Sequence, residues 1–184
     1  MENGESSYRR FLDGDESAFS EIIRLYRDPL IFYLNRTLQN LSIAEELAAD
    51  ALSELLVHPK RYNFSVSLKT YLFTIGHHKM VDYIRHNSKY QLLPYEDAAE
   101  KSLAYESFEN QLLMDELKKE LHEGISQLPA EMQMAIHLVY FENMTYEETA
   151  MIMKKNRKQV DNLIYRGKTG LRTWMEERGY HHAE

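Results

Sequence analysis

The chain has 184 residues and a formal net charge of −7, which allows one medium domain or two small ones and argues against a globally basic nucleic-acid binder. It has no cysteine, so a disulfide framework, a thiolate zinc site and a cysteine nucleophile are all excluded. No apolar run approaches twenty residues, and "MENGESSYRR" lacks the basic start and apolar centre of a secretory signal, so a cytoplasmic protein without membrane insertion is expected. Thirteen Tyr, seven Gly and four Pro, with no convincing alternating run, predict an all-α fold of two small helical domains.

In "ESAFSEIIRLYRDPL" Phe19, Ile22, Ile23 and Tyr26 fall on one helical face, and Pro29 is expected to break or restart the helix. Leu30, Leu34 and Leu38 continue as a second apolar stripe. The next helix covers "SIAEELAADALSELLVHP", with Ser42 and Glu45 in capping-box spacing and Pro59 beyond its end. Its apolar face is Ile43, Leu47, Ala51 and Leu55, while Glu46, Asp50 and Glu54 line the opposite ridge at four-residue spacing. A polar turn, "KRYNFSVS", leads into "LKTYLFTIGHHKMVDYIRHN". There Leu68, Leu72, Ile75 and Gly76 share one face, and Tyr71, Thr74, His78 and Arg85 share another.

Periodicity then fades through an acidic stretch, and residues 88–105 are expected to form a flexible acidic linker between domains at 1–87 and 106–184. The second domain opens with a helix presenting Phe108, Leu112, Leu113, Leu117 and Leu121, and Pro129 suits the first turn of another. In "TYEETAMIMKKNRKQVDNLIYRGKTGLR" Thr145 and Glu148 form one capping box, "KKN" makes a turn, and Asn156 and Gln159 start a second helix. Val160, Leu163, Ile164, Gly167 and Leu171 face inward. Lys158, Asp161, Asn162, Tyr165, Arg166, Lys168 and Arg172 face outward. Two short helices joined by a three-residue turn make a helix-turn-helix, whose second helix fits a DNA major groove.

The second-domain motif "LPAEMQMAIHLVYFENMTYEETAMIMKKNRKQVDNLIYRGKTGLR" resembles the fourth-region domain of extracytoplasmic-function (ECF) sigma factors. The residues that carry the likeness are Leu128, Pro129, Leu138, Tyr146, Glu147, Glu148, Ala150, Val160 and Arg166. "GDESAFSEIIRLYRDPL", "AEELAADAL" and "LKTYLFTIGHHKMVDYIR" are similar to the second-region signature, at Gly14, Asp15, Ala18, Phe19, Ala44, Glu45, Leu47, Asp50, Leu72, Ile75, Asp82 and Arg85. The chain departs from the pattern in four places. Tyr71 stands for a usual Trp, His78 for a common Asn, Asp161 for a frequent basic residue and Gly167 for a common Ala.

The resemblance implies a dissociable subunit that recruits bacterial RNA polymerase core to promoters, is itself no enzyme, and requires no cofactor or metal. Glu46, Leu47, Asp50 and Glu54 would dock on the core enzyme. Tyr62, Asn63, Phe64, Tyr71, Thr74, His78 and Arg85 would meet the melted minus-10 element, although Tyr62 and Phe64 equally suit core aromatics. Lys158, Asp161, Asn162, Tyr165, Arg166 and Lys168 would read the minus-35 element. The implied partners are core polymerase, promoter DNA and an anti-sigma factor. A one-component helix-turn-helix regulator is the alternative; it would bind duplex DNA without core polymerase. A metal protein built on His77, His78, His122, His137, His181 and His182 is rejected, because adjacent histidines diverge on a helix and no H-E-x-x-H occurs.

Overall fold

The computed structural model describes residues 4–88 and 111–180, with side chains for all of these except Ser88 and residues 111–116. The expected linker at 88–105 lies, apart from Ser88, outside the described residues, as do Phe108, His181 and His182. Eight α-helices make up the described part, with no strand among these residues: α1 (Glu5–Leu12), α2 (Ser17–Leu38), α3 (Leu41–Val57), α4 (Leu68–Ser88), α5 (Gln111–Ser126), α6 (Ala130–Ile136), α7 (Tyr146–Ile152) and α8 (Arg157–Glu177).

Two helix boundaries differ from expectation. Pro29 neither breaks nor restarts its helix, since α2 runs unbroken from Ser17 to Leu38. Tyr26, Leu30, Ile31 and Leu34 are buried on both sides of the proline, and packing of that face outweighs the roughly 3 kcal/mol that an interior proline costs. The cap of α3 is Asn40, whose side chain accepts from the Ile43 amide at 3.2 Å, and not Ser42. Asn40 adopts the extended backbone that an N-cap needs, two residues earlier than the S-x-x-E spacing suggests.

The N-terminal helices form a bundle in which α2 packs on α1, α3 and α4. One end of it is aromatic: Tyr8, Phe19, Tyr26 and Tyr62 are buried with Leu52, Leu55, Leu68 and Leu72. In the C-terminal group α8 packs on α5, α6 and α7. Between α6 and α7, residues His137–Phe141 form a π-helical turn, a wider turn that re-aims side chains. The two groups do not stand apart. Helix α4 packs on α7 and α2 on α6, so one buried cluster runs from Leu30, Tyr33, Phe73 and Met80 to Met134, Leu138, Ile152 and Val160.

Candidate nucleic-acid interface

Local capping builds the helix-turn-helix. Thr145 Oγ1 accepts from the Glu148 amide at 3.2 Å while Glu148 Oε2 accepts from the Thr145 amide at 2.9 Å, and Asn156 and Gln159 repeat the exchange at the start of α8. Each pair satisfies orphan donors of a first turn. Lys154 takes φ 52°, the left-handed conformation that turns the chain between α7 and α8.

On α8, Val160, Ile164 and Gly167 are buried, and Lys158, Asp161, Asn162, Tyr165, Arg166 and Lys168 are all exposed on the opposite side. Tyr165 is 73% exposed, unusually open for an aromatic side chain. Asp161 makes no hydrogen bond or ion pair with Lys158 or Tyr165 among the described residues. It instead helps hold the Tyr146 hydroxyl above its ordinary range, after desolvation and Tyr140. The face is therefore basic, with one carboxylate and one open aromatic ring.

Around α4 the expected residues divide. Tyr62 is 3% exposed and packs against the rings of Tyr8, Phe64 and Tyr71 at 5.5, 4.6 and 5.0 Å, with its hydroxyl donating to the Val66 carbonyl at 2.7 Å. Tyr62 is thus packed within the buried aromatic cluster. Burial pushes its hydroxyl above the ordinary range. Asn63 is exposed, and its carbonyl oxygen accepts from the Ser65 amide at 3.1 Å. Phe64 is half-buried at φ 60°, with the Arg9 guanidinium 4.0 Å from its ring centroid. A bulky residue in the left-handed region is a strained position, held here by the aromatic cluster. Tyr71 is half-buried, Thr74 donates to the Thr70 carbonyl at 2.7 Å, and exposed Arg85 pairs with Asp82 at 2.8 Å.

His78 is half-buried on α4 and lines a cavity of about 240 Å³ between the two helical groups. Its Nε2 has no hydrogen-bond partner among the described residues. Desolvation, then the charge of Lys154, lower its pKa.

The α3 ridge is acidic at the surface and apolar behind. Glu46 and Asp50 are exposed, with Asp50 3.4 Å from Lys79, and Glu54 pairs with Arg61. Leu47 is only 9% exposed and belongs to the core, so it supports the ridge from behind and does not present a surface.

A further constellation is absent from the sequence reading. Lys69 on α4 reaches Glu142 beyond the π turn, with Nζ 2.7 Å from Oε2 and 2.8 Å from the Glu142 carbonyl oxygen. Glu142 Oε1 lies 3.2 Å from His137 Nε2, and His137 is 1% exposed. Its ring stacks on Phe141 at 5.2 Å and meets Phe32 and Tyr33 of α2 at 5.3 and 5.6 Å. Burial lowers the His137 pKa, and Nδ1 has no partner among the described residues, so the neutral ring donates from Nε2 to the carboxylate. Burial raises the Glu142 pKa, but the bonds from His137 and Lys69 outweigh it and hold the carboxyl ionised. Thr70, fully buried, donates to Glu148 Oε1 at 2.8 Å. Lys69 and Glu142 are 73 residues apart, and no local pattern signals such a pair.

Known proteins share this arrangement of helices. Sigma-70 region 2 matches residues 22–90, and Sigma-70, region 4 matches residues 118–171. RNA polymerase sigma factor YlaC of Bacillus subtilis is 26% identical over 161 residues, covering 86% of this chain and 92% of the relative. ECF RNA polymerase sigma factor SigW of the same organism is 25% identical over 172 residues, covering 89% and 92%. Among solved structures, the sigma factor RpoE in complex with the anti-sigma factor NepR, from Bartonella quintana, superposes with a TM-score of 0.69 at 19% identity, over 86% of this chain and 96% of that one. CnrH in complex with the cytosolic domain of CnrY gives 0.66 at 15% identity, over 95% and 98%; at these identities the likeness is one of fold. With both regions present in order and relatives matched over nearly their whole length, the chain belongs to the ECF class of RNA polymerase sigma factors.

Proposed function

We propose that this sigma factor divides its work between a core-binding and strand-opening domain at 1–87 and a minus-35-reading domain at 106–184, tethered through 88–105. The exposed α8 face carries the reading. Lys158, Arg166 and Lys168 would hold phosphates, while Asn162, Asp161 and Tyr165 would meet base edges. The Glu46, Asp50 and Glu54 ridge would dock on basic residues of core polymerase. Asn63, Phe64, Tyr71, Thr74, His78 and Arg85 would engage the melted minus-10 strand, with an aromatic face beside unstacked bases. Tyr62 acts behind that surface, as a support. The chain catalyses no step itself and works in the cytoplasm, a reading that rests on its sigma-factor family; no described helix is long and apolar enough to cross a membrane. An anti-sigma factor is proposed as its regulator because the similar RpoE of Bartonella quintana is bound to the anti-sigma factor NepR.

Run-off transcription with core polymerase, followed by sequencing of start sites from a randomised promoter library, tests the whole reading. Gel shifts with and without core separate it from the one-component regulator. Binding that needs core supports a sigma factor, and equally tight binding without core supports the regulator. Glu46→Lys with Asp50→Lys should lower core affinity at least about a hundredfold, since like charges at an interface cost several kcal/mol, with the helical circular dichroism unchanged. Undiminished core binding would remove the ridge from the interface.

A further inference from the structure

Helix α1 precedes the residues matched to Sigma-70 region 2, and none of the residues assigned to the promoter lies on it. It is nevertheless fastened to the loop that carries Asn63 and Phe64. Tyr8 is fully buried, and its hydroxyl lies 2.9 Å from the Pro59 carbonyl oxygen and 3.3 Å from that of Leu55, at the foot of the loop. Ser7 Oγ donates to Glu21 at 2.6 Å, which holds α1 to α2 as well. The position of the next residue, Arg9, is thereby set. Four planar groups follow one another there: Tyr71 lies 5.0 Å from Tyr62, Tyr62 4.6 Å from Phe64, and the Arg9 guanidinium 4.0 Å from the Phe64 ring. The row starts on α4, at the aromatic face assigned to unstacked bases, and ends on α1.

We propose that Arg9 is a DNA contact of the minus-10 site, binding a phosphate of the melted strand beside the nucleotide that Phe64 meets. The proposal rests on the minus-10 assignment above. Its chemistry follows from the shape of the guanidinium. Stacking on Phe64 occupies the face of the group, whereas its five N–H donors lie in its plane and stay turned outward, in the fork that matches a phosphate. Arg9 is exposed, so a strand passing over the loop can reach that edge. The two nearest arginines in the chain and the loop are engaged otherwise: Arg10 spans Asp15 and Glu21 at 2.6 and 3.0 Å, and Arg61 pairs with Glu54. A cation resting on a neutral ring keeps an attraction for phosphate that a carboxylate partner would largely cancel. Phe64 points the same way. Its φ of 60° is a strained one for a bulky residue, and such strain persists only where the surroundings hold it, commonly at a ligand clamp. Arg9 covers that ring from the α1 side, so α1 and α4 together frame the loop.

The test uses holoenzyme assembled from the full-length chain at saturating core polymerase, and fluorescence anisotropy of each labelled single strand of a minus-10 element recovered in the library selection. Arg9→Ala should weaken binding of the preferred strand at least about tenfold, the worth of a hydrogen bond to a charged group, and lower the salt slope by about 0.7. Arg9→Met keeps a side chain packed on Phe64 without the charge, and should lose as much. Arg10→Ala removes the same charge one residue away, where carboxylates already engage it, and should bind as the parent does. Replacing single phosphates by neutral methylphosphonates should find one position that costs the parent about tenfold and costs Arg9→Ala nothing further. Three results each overturn the contact while leaving the minus-10 assignment in place: parent-like binding by Arg9→Met, an equal loss in Arg10→Ala, or equal sensitivity of the parent and Arg9→Ala at every phosphate. If the parent holoenzyme prefers neither strand to a scrambled sequence, the minus-10 assignment itself is overturned, and the role of Arg9 falls with it.

Discussion

Helices α4 and α8 are each 21 residues long and carry the residues assigned to the two promoter elements, but they are used very differently. Helix α8 packs on its neighbours along one side and leaves a continuous polar side free. Helix α4 packs on α2, α3 and α7; its last turns leave Val81, Asp82, Ile84 and Arg85 exposed, but its polar positions Thr70 and His77 are buried with its leucines. A helix with one free side displays its function in its periodicity. A helix packed on several sides conceals it over its enclosed part, because buried polar groups are chosen for partners that lie elsewhere in the chain.

The largest expected contrast comes from removing one aromatic ring from each helix. Phe73 on α4 is fully buried, 5.5 Å from the Tyr33 ring, so Phe73→Ala should destabilise the fold by about 3–5 kcal/mol. Tyr165→Ala on α8 should change stability by less than about 0.5 kcal/mol and appear only in promoter use. Urea melts of the two variants decide this, and similar losses in both would end the distinction between the helices.

His77 sharpens the comparison through pH. Burial, then His78, Lys154 and Lys155, lower its pKa to about 4 against the opposing charge of Glu131, and the Tyr33 hydroxyl lies 2.8 Å from its Nδ1. The folded ring stays neutral while the unfolded one titrates near its ordinary value of about 6.5. Acid therefore favours the unfolded chain: the contribution of neutral His77 is complete above about pH 6.5 and is lost as pH falls toward 4, by up to about 3 kcal/mol. His77→Phe should reduce the slope across that window, leaving the loss from the lowered pKa values of His78 and His137 and, at lower pH, that from the depressed carboxyls of Glu142 and Glu148. An unaltered slope would show that His77 titrates as freely as an exposed histidine.

What was legible in the sequence follows the same division. The capping boxes of α7 and α8 and the outward set on α8 lie within a few residues of their partners, and local spacing reports them. Pro29 and the Asn40 cap escape local pattern because long-range packing decides the first, and the extended backbone of a residue outside the S-x-x-E spacing decides the second. Leu47 and Tyr62 sit in motif positions associated with binding, yet both are buried. A motif records which residues a site requires without saying which stand at its surface and which stand behind. The Lys69–Glu142–His137 contacts join segments far apart in the chain and had no signal in it.

A smaller, position-specific effect is expected on the free side of α8. Asp161 repels phosphate but can accept from a cytosine amino group, and among the described residues it forms no ion pair with Lys158. Selecting active minus-35 sequences with wild type and Asp161→Arg should shift preference at one or two positions by roughly 1–3 kcal/mol. Arg166→Ala and Lys168→Ala should instead weaken binding across sequences and lower the salt dependence by about one counterion each. An unchanged preference with Asp161→Arg would reassign Asp161 to the solvent.

The smallest effect tests the packed side of α8. Gly167 lies inside α8, and a glycine inside a helix costs up to about 1 kcal/mol. A Cβ added there would lie 2.8 Å from Ile136 Cδ1 on α6, inside van der Waals contact, so the alanine that helps the helix crowds the interface. Because Cδ1 is the far end of a side chain, the isoleucine can rotate away at roughly 0.5–1.5 kcal/mol. The two terms nearly cancel, and Gly167→Ala should move stability by less than about 1 kcal/mol. The cancellation is exposed by pairing it with Ile136→Val, which removes Cδ1: the double variant should be more stable than the sum of the single changes by at least about 0.5 kcal/mol. Additive behaviour in the urea melts would mean that the close approach of α6 to α8 is not the reason this helix carries a glycine.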